Sequence, residues 1–166
     1  TIARKAIENT KPDQAVYIAG SVAPLEDCYS PELTPAPEEL AKEHHELLSD
    51  LKDGEVDFIL FETMITLQET LSGIHAAQQH ALPFAVSFCC NDQNQLLSGE
   101  PLSEVIPQIA PYGPLFISVN CVSVALAQKL VEHVRTLTGL PIGVYAQGGG
   151  TIDNNQGWHI VDEHLH

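Results

Sequence analysis

Residues with chemical capacity stand where apolar runs stop. Leu115-Phe116-Ile117-Ser118-Val119 ends at Asn120-Cys121, and Val56-Asp57-Phe58-Ile59-Leu60-Phe61 ends at Glu62. Ser21, Cys89 and Tyr145 close three further runs of the same kind. Short apolar runs rich in β-branched and aromatic residues read as buried parallel strands, and α/β folds place ligands at the C-terminal ends of such strands. A thiol at that position, Cys121, is a candidate metal ligand or nucleophile; the plainer alternative is an inert, buried small hydrophobe. A carboxylate closing an apolar strand is costly to bury unless it meets a cation or hydrogen-bond donors. Glu62 therefore reads either as a recognition group for an ammonium ion or as the partner of a neighbouring loop. Cys121 alone cannot make a tight zinc site, which takes at least three protein ligands. Cys89 and Cys90 are adjacent, and adjacent strand residues point to opposite faces. The run Gly148-Gly149-Gly150 has neither the Lys-Ser/Thr of a phosphate loop nor GxGxxG spacing, and reads as a permissive turn.

The elements that must position these groups alternate. Strands are expected over 15–20, 56–61, 84–88, 115–119 and 141–145. Helices are expected over 2–9, 37–51, from the capping-box pattern Thr66-Leu67-Gln68-Glu69 onward, over 102–109 with an interruption or bend at Pro107, and over 124–137. His44 lies on or beside the apolar stripe of the second helix and reads as structural. The segment from Pro24 to Pro37 holds four prolines and reads as a long loop, the kind of element that carries function on an α/β scaffold. The tail from Trp158 is expected to start one more helix. Strict strand–helix alternation implies right-handed βαβ units, hence parallel, adjacent strands in chain order with helices outside.

The bulk properties narrow the partners. At 166 residues the chain is long enough for one domain with a sizeable core. Seven Lys and Arg against 22 Asp and Glu give a formal charge of −15, which argues against nucleic acid and anionic membranes as partners. No apolar run reaches membrane-spanning length, and the N-terminus lacks a signal-peptide pattern. Four cysteines without CxxC spacing fit reduced thiols and a cytoplasmic location.

Taken in order, Ile18-Ala19-Gly20-Ser21-Val22-Ala23-Pro24, Val56 to Met64 with its Glu62-Thr63 end, Leu97-Ser98-Gly99-Glu100-Pro101-Leu102 and Val119-Asn120-Cys121 resemble the landmarks of the homocysteine S-methyltransferase family. The resemblance implies a (β/α)8 barrel that binds one zinc through three thiolates and moves a methyl group onto the sulfur of homocysteine, giving methionine. By position it makes Cys121 the first zinc ligand and Glu62 the group that binds the homocysteine amino group, with Asn120 and Ser21 also at the substrate. The family's other two zinc ligands are an adjacent cysteine pair after two glycines near the C-terminus. This sequence does not contain that pair, and Cys89-Cys90 follow Phe88 on a different strand. Residues 1–166 thus resemble about strands three to seven, a partial barrel in one segment, with the remaining zinc ligands expected outside it. The implied partners are homocysteine and a small methyl donor; family members differ in using S-methylmethionine, S-adenosylmethionine, betaine or a folate-derived methyl. Two other readings are a non-catalytic barrel remnant and a different parallel α/β enzyme that uses Cys121 as a metal-free nucleophile.

Overall fold

Alternating strands and helices produce a single parallel sheet. The structure, a computed structural model, describes residues 1–148, 151–153 and 157–159. The strands β1 (Ala19–Val22), β2 (Phe58–Met64), β3 (Phe84–Phe88), β4 (Ile117–Ser123) and β5 (Ile142–Gln147) lie side by side in chain order, and every pair is parallel. The helices are α1 (Ile2–Thr10), α2 (Pro37–Asp53), α3 (Leu67–His80), α4 (Leu102–Ile109) and α5 (Val124–Leu137). Beyond them β6 (Thr151–Asp153) and β7 (Gly157–His159) pair antiparallel. The helix expected from Trp158 is therefore not what Trp158 and His159 form, since both lie in a strand; residues 160–166 fall outside the described residues, as do Gly149 and Gly150 of the expected turn.

Local chemistry sets the helix ends. Pro37 opens α2 with Glu38 and Glu39 in its first turn, where fixed φ and negative charge both suit a helix N-terminus. Thr66 and Ser123 cap α3 and α5 by accepting the N–H groups of Glu69 and Leu126. Pro107 neither interrupts α4 nor ends it; it lies on the exposed side, and the helix runs on to Ile109. Residues 15–18, expected to begin the first strand, precede it. The register starts at Ala19, opposite Phe58; just before it Ile18 donates its N–H to the Asp57 carboxylate at 2.6 Å and accepts the Asp57 N–H at 2.8 Å. The segment between β1 and α2 is a loop, as expected, with one 3-10 turn at Pro31–Leu33.

The two faces of the sheet differ. Ile59, Phe61, Phe84, Val86, Phe88, Ile117 and Val119 are buried on the face covered by helices, in one core with Leu48, Ile74, Leu130 and Val134. Gly73 lets α3 sit this close: a Cβ there would come within 2.6 Å of the Phe61 ring. On the alternate positions, period two along each strand brings Ser21, Glu62, Ser87, Asn120 and Tyr145 onto the other face near the C-terminal ends.

Candidate functional site

Asn120 is the centre of the strand-end network. It is fully buried, and its side chain joins three strands. Its Oδ1 accepts the backbone N–H of Thr63 at 3.2 Å and the Ser87 hydroxyl at 2.7 Å. Its Nδ2 donates to the Thr63 hydroxyl at 2.8 Å and to the Cys121 sulfur at 3.2 Å. A buried amide with every group engaged fixes geometry rather than merely tolerating burial.

The network holds two backbone kinks. Thr63 has φ 59° and Cys121 has φ 54°, both in the left-handed region. For a β-branched residue such as Thr63 this is a genuine outlier, and such outliers persist only where surrounding structure enforces them. The pairing register shifts at the same places, between Phe61 and Met64 in β2 and between Asn120 and Ser123 in β4. The kinks leave Cys121 half-buried, its sulfur 3.7 Å from the Thr63 hydroxyl and its carbonyl accepting from Gln147 Nε2 at 3.4 Å.

Glu62 lies one residue before the first kink. One carboxylate oxygen accepts the Ser21 hydroxyl from β1, and the other accepts the Tyr145 hydroxyl from β5 at 3.1 Å. A contact between β2 and β5 spans the two intervening strands, so the sheet curves around this mouth. Burial, with the Glu62 carboxylate beside it, pushes the Tyr145 hydroxyl well above its ordinary range, so it stays a donor. Among the described residues no Lys, Arg or His forms an ion pair with Glu62. Among the described residues its side-chain partners are the neutral hydroxyls of Ser21 and Tyr145.

The four residues expected at the site, Ser21, Glu62, Asn120 and Cys121, all lie at the same end of the sheet. Ser21 touches Glu62, and Asn120 touches Cys121. The structure adds groups the sequence did not single out. Thr63 and Ser87 complete the Asn120 network. Tyr29 and Cys28, from the proline-rich loop, come near Cys121 and Cys89; burial first, then these neighbouring thiols, raise the Tyr29 hydroxyl far above its ordinary range. Ser87 was detectable from strand period, two positions after Ala85. No periodicity marks a loop residue such as Tyr29.

The thiols are not equivalent. Cys89 and Cys90 are buried, and burial pushes Cys89 up to about 12 and Cys90 higher still. Cys89 points its sulfur at the Cys121 carbonyl, 3.8 Å away. No group of three His, Cys, Asp or Glu side chains among the described residues is arranged to hold a metal ion. Cys121, partly exposed at a strand end, fits a single thiolate ligand of a metal site; the described residues supply no complete set.

Comparison with known proteins gives this mouth a context. The model of the homocysteine S-methyltransferase family matches residues 1–166. The chain belongs to the homocysteine S-methyltransferase family. It is 28% identical over 125 residues to the homocysteine S-methyltransferase of Escherichia coli K12, a match covering 73% of this chain and 40% of that protein. Its fold is similar to the metallated form of the E. coli homocysteine methyltransferase MmuM, with a TM-score of 0.82 and 24% identity, over 89% of this chain and 55% of that one. A more distant likeness in fold is to the carboxyl transferase domain of Rhizobium etli pyruvate carboxylase, with a TM-score of 0.53 and 14% identity, over 78% of this chain and 23% of that one. The chain thus spans about half the length of its methyltransferase relatives. Its five parallel strands with outer helices form a partial (β/α)8 barrel.

Proposed function

We propose that this segment carries the homocysteine-recognition side of a methyltransferase that moves a methyl group from a small donor to the homocysteine sulfur, giving methionine. One observation carries the reading. Glu62 is a carboxylate at the mouth of a strand end whose partners are hydroxyls on both oxygens, with no cation paired to it among the described residues. A carboxylate so oriented and left without a counter-charge suits a substrate ammonium group, which gains short, charge-assisted hydrogen bonds. Ser21 and Tyr145 orient the carboxylate. Asn120 fixes the kinked backbone that turns Cys121 toward the mouth.

Cys121 would hold zinc as one thiolate ligand, with the other ligands outside the described residues. Zinc supplies a substrate thiol held as thiolate near neutral pH, the nucleophilic form. The substrate sulfur forms the new carbon–sulfur bond as the donor's bond to its methyl group breaks, and the donor leaves with the bonding pair. Family membership and the likeness to a methyltransferase solved in a metallated form support this. The four cysteines, all unpaired, are consistent with a reducing cytoplasm, and the acidic charge with small-molecule partners rather than nucleic acid or a membrane. No helix among the described residues is long and apolar enough to cross a membrane. Residues 1–166 are read as one barrel segment.

The test is Glu62→Gln in the full-length protein. Losing one charge-assisted contact costs about 1.5–3 kcal/mol, which raises the homocysteine KM roughly ten- to a hundredfold. Zinc content should stay unchanged. An unaltered KM for homocysteine would remove Glu62 from substrate recognition.

A further inference from the structure

Glu69 is a buried carboxylate in an unexpected posture. It stands three residues after the N-cap Thr66, where a capping box would fold its side chain back onto the Thr66 N–H. Thr66 does its half and accepts the Glu69 N–H at 3.2 Å. The Glu69 carboxylate instead reaches out of the helix and accepts the backbone N–H of Leu25 at 2.7 Å. Only 1% of Glu69 is exposed. Among the described residues its one nearby cationic candidate is His44, which is fully buried; its Nε2 lies 4.0 Å from the carboxylate and has no hydrogen-bond partner among those residues. Burial pushes the His44 imidazole down and the Glu69 carboxyl up. Stability alone is poorly served by burying such a loosely matched pair.

Leu25 lies near the start of the loop that links β1 to α2, residues 23–36. That loop's other backbone and Asp27 hydrogen bonds are internal, save that the Ala36 carbonyl accepts the Leu40 N–H where α2 begins. Among the described residues, two further hydrogen bonds tie its backbone to the rest of the molecule, and both involve the first turn of α3. They are Glu69 to Leu25 and Gln68 Nε2 to the Pro35 carbonyl at 3.2 Å. Gln68 is a partner at the loop's exposed exit, whereas Glu69 grips its part-buried entrance. Three residues beyond Leu25 come Cys28 and then Tyr29, which packs on the core and faces Cys121.

We propose that Glu69 is a positioning residue: by gripping Leu25 it holds residues 23–36 in place, so that Tyr29 covers Cys121 from outside the sheet. Its relevance to methyl transfer rests on the proposed role of Cys121. The grip itself does not.

The test uses the full-length protein stripped of metal, as wild type and as Glu69→Ala, Glu69→Gln and Leu25→Pro. The rate at which iodoacetamide alkylates Cys121 is read by peptide mass spectrometry, with buried Cys90 as the internal reference. Glu69→Ala removes the acceptor and Leu25→Pro removes the donor. Both should speed Cys121 alkylation about tenfold or more while Cys90 keeps its wild-type rate, as expected when one charge-assisted bond to a loop is lost. Glu69→Gln keeps an acceptor oxygen and should stay near the wild-type rate. An unchanged Cys121 rate in both Glu69→Ala and Leu25→Pro overturns the proposal. So does a parallel rise at Cys90, which would mean general loosening, and so does a Glu69→Gln variant as reactive as Glu69→Ala. The same variants loaded with zinc should raise the homocysteine KM more than they lower kcat. A protein that shows the alkylation pattern but forms no methionine retains the grip and loses the proposed reaction.

Discussion

The ends of β2 and β4 contrast with the end of β3 between them. All three strands finish an apolar run with polar or sulfur-bearing residues. In β2 and β4 the finish is a kink: Thr63 and Cys121 are left-handed, the register shifts, and Asn120 bonds both residues. In β3 the chain passes straight into Cys89 and Cys90, which stay buried with thiols that resist ionisation. Position at a strand end therefore does not make a thiol available. Cys121 reaches the mouth because its backbone accepts a strained conformation, of a kind costing about 1–3 kcal/mol, and a buried amide holds it there.

The largest effect that would break this contrast is at Asn120. Asn120→Ala strands the Thr63 N–H and leaves the Ser87 and Thr63 hydroxyls short of a partner. It should cost about 3 kcal/mol in urea unfolding, whereas Cys90→Ala should cost about 1 kcal/mol, a small loss of buried area. Equal costs would mean that the β4 end has no special network.

A smaller effect sharpens the contrast from the side of β3. The folded state keeps the Cys89 proton up to about pH 12, while the unfolded thiol loses it near 9.0. The folded form thus binds more protons in that window. The contribution to stability is full below the unfolded value and falls as pH rises through it, by about 1.4 kcal/mol per pH unit for one such thiol. Cys89→Ala should flatten this alkaline slope when urea midpoints are compared below and above pH 9.0. An identical slope in the variant would show that Cys89 is not held as a buried neutral thiol.

Strand order, parallel pairing and the placement of Ser21, Glu62, Asn120 and Cys121 were legible because period-two apolar runs and their polar stops are local signals. Strand limits were less so. Residues 15–18 look strand-like, but the Asp57 carboxylate takes the Ile18 N–H. The kinks at Thr63 and Cys121 were invisible, since neither residue favours positive φ and a long-range amide enforces it. Glu69 was read as a capping-box residue from spacing alone. Its actual partner, Leu25, lies 44 residues away, and no local pattern encodes it.

The most direct test is methionine formation from homocysteine by the full-length protein, measured across small methyl donors for wild type, Cys121→Ser and Cys90→Ala. The account predicts that Cys121→Ser forms no methionine above background while Cys90→Ala works at the wild-type rate. Methionine formation by Cys121→Ser at the wild-type rate would contradict it.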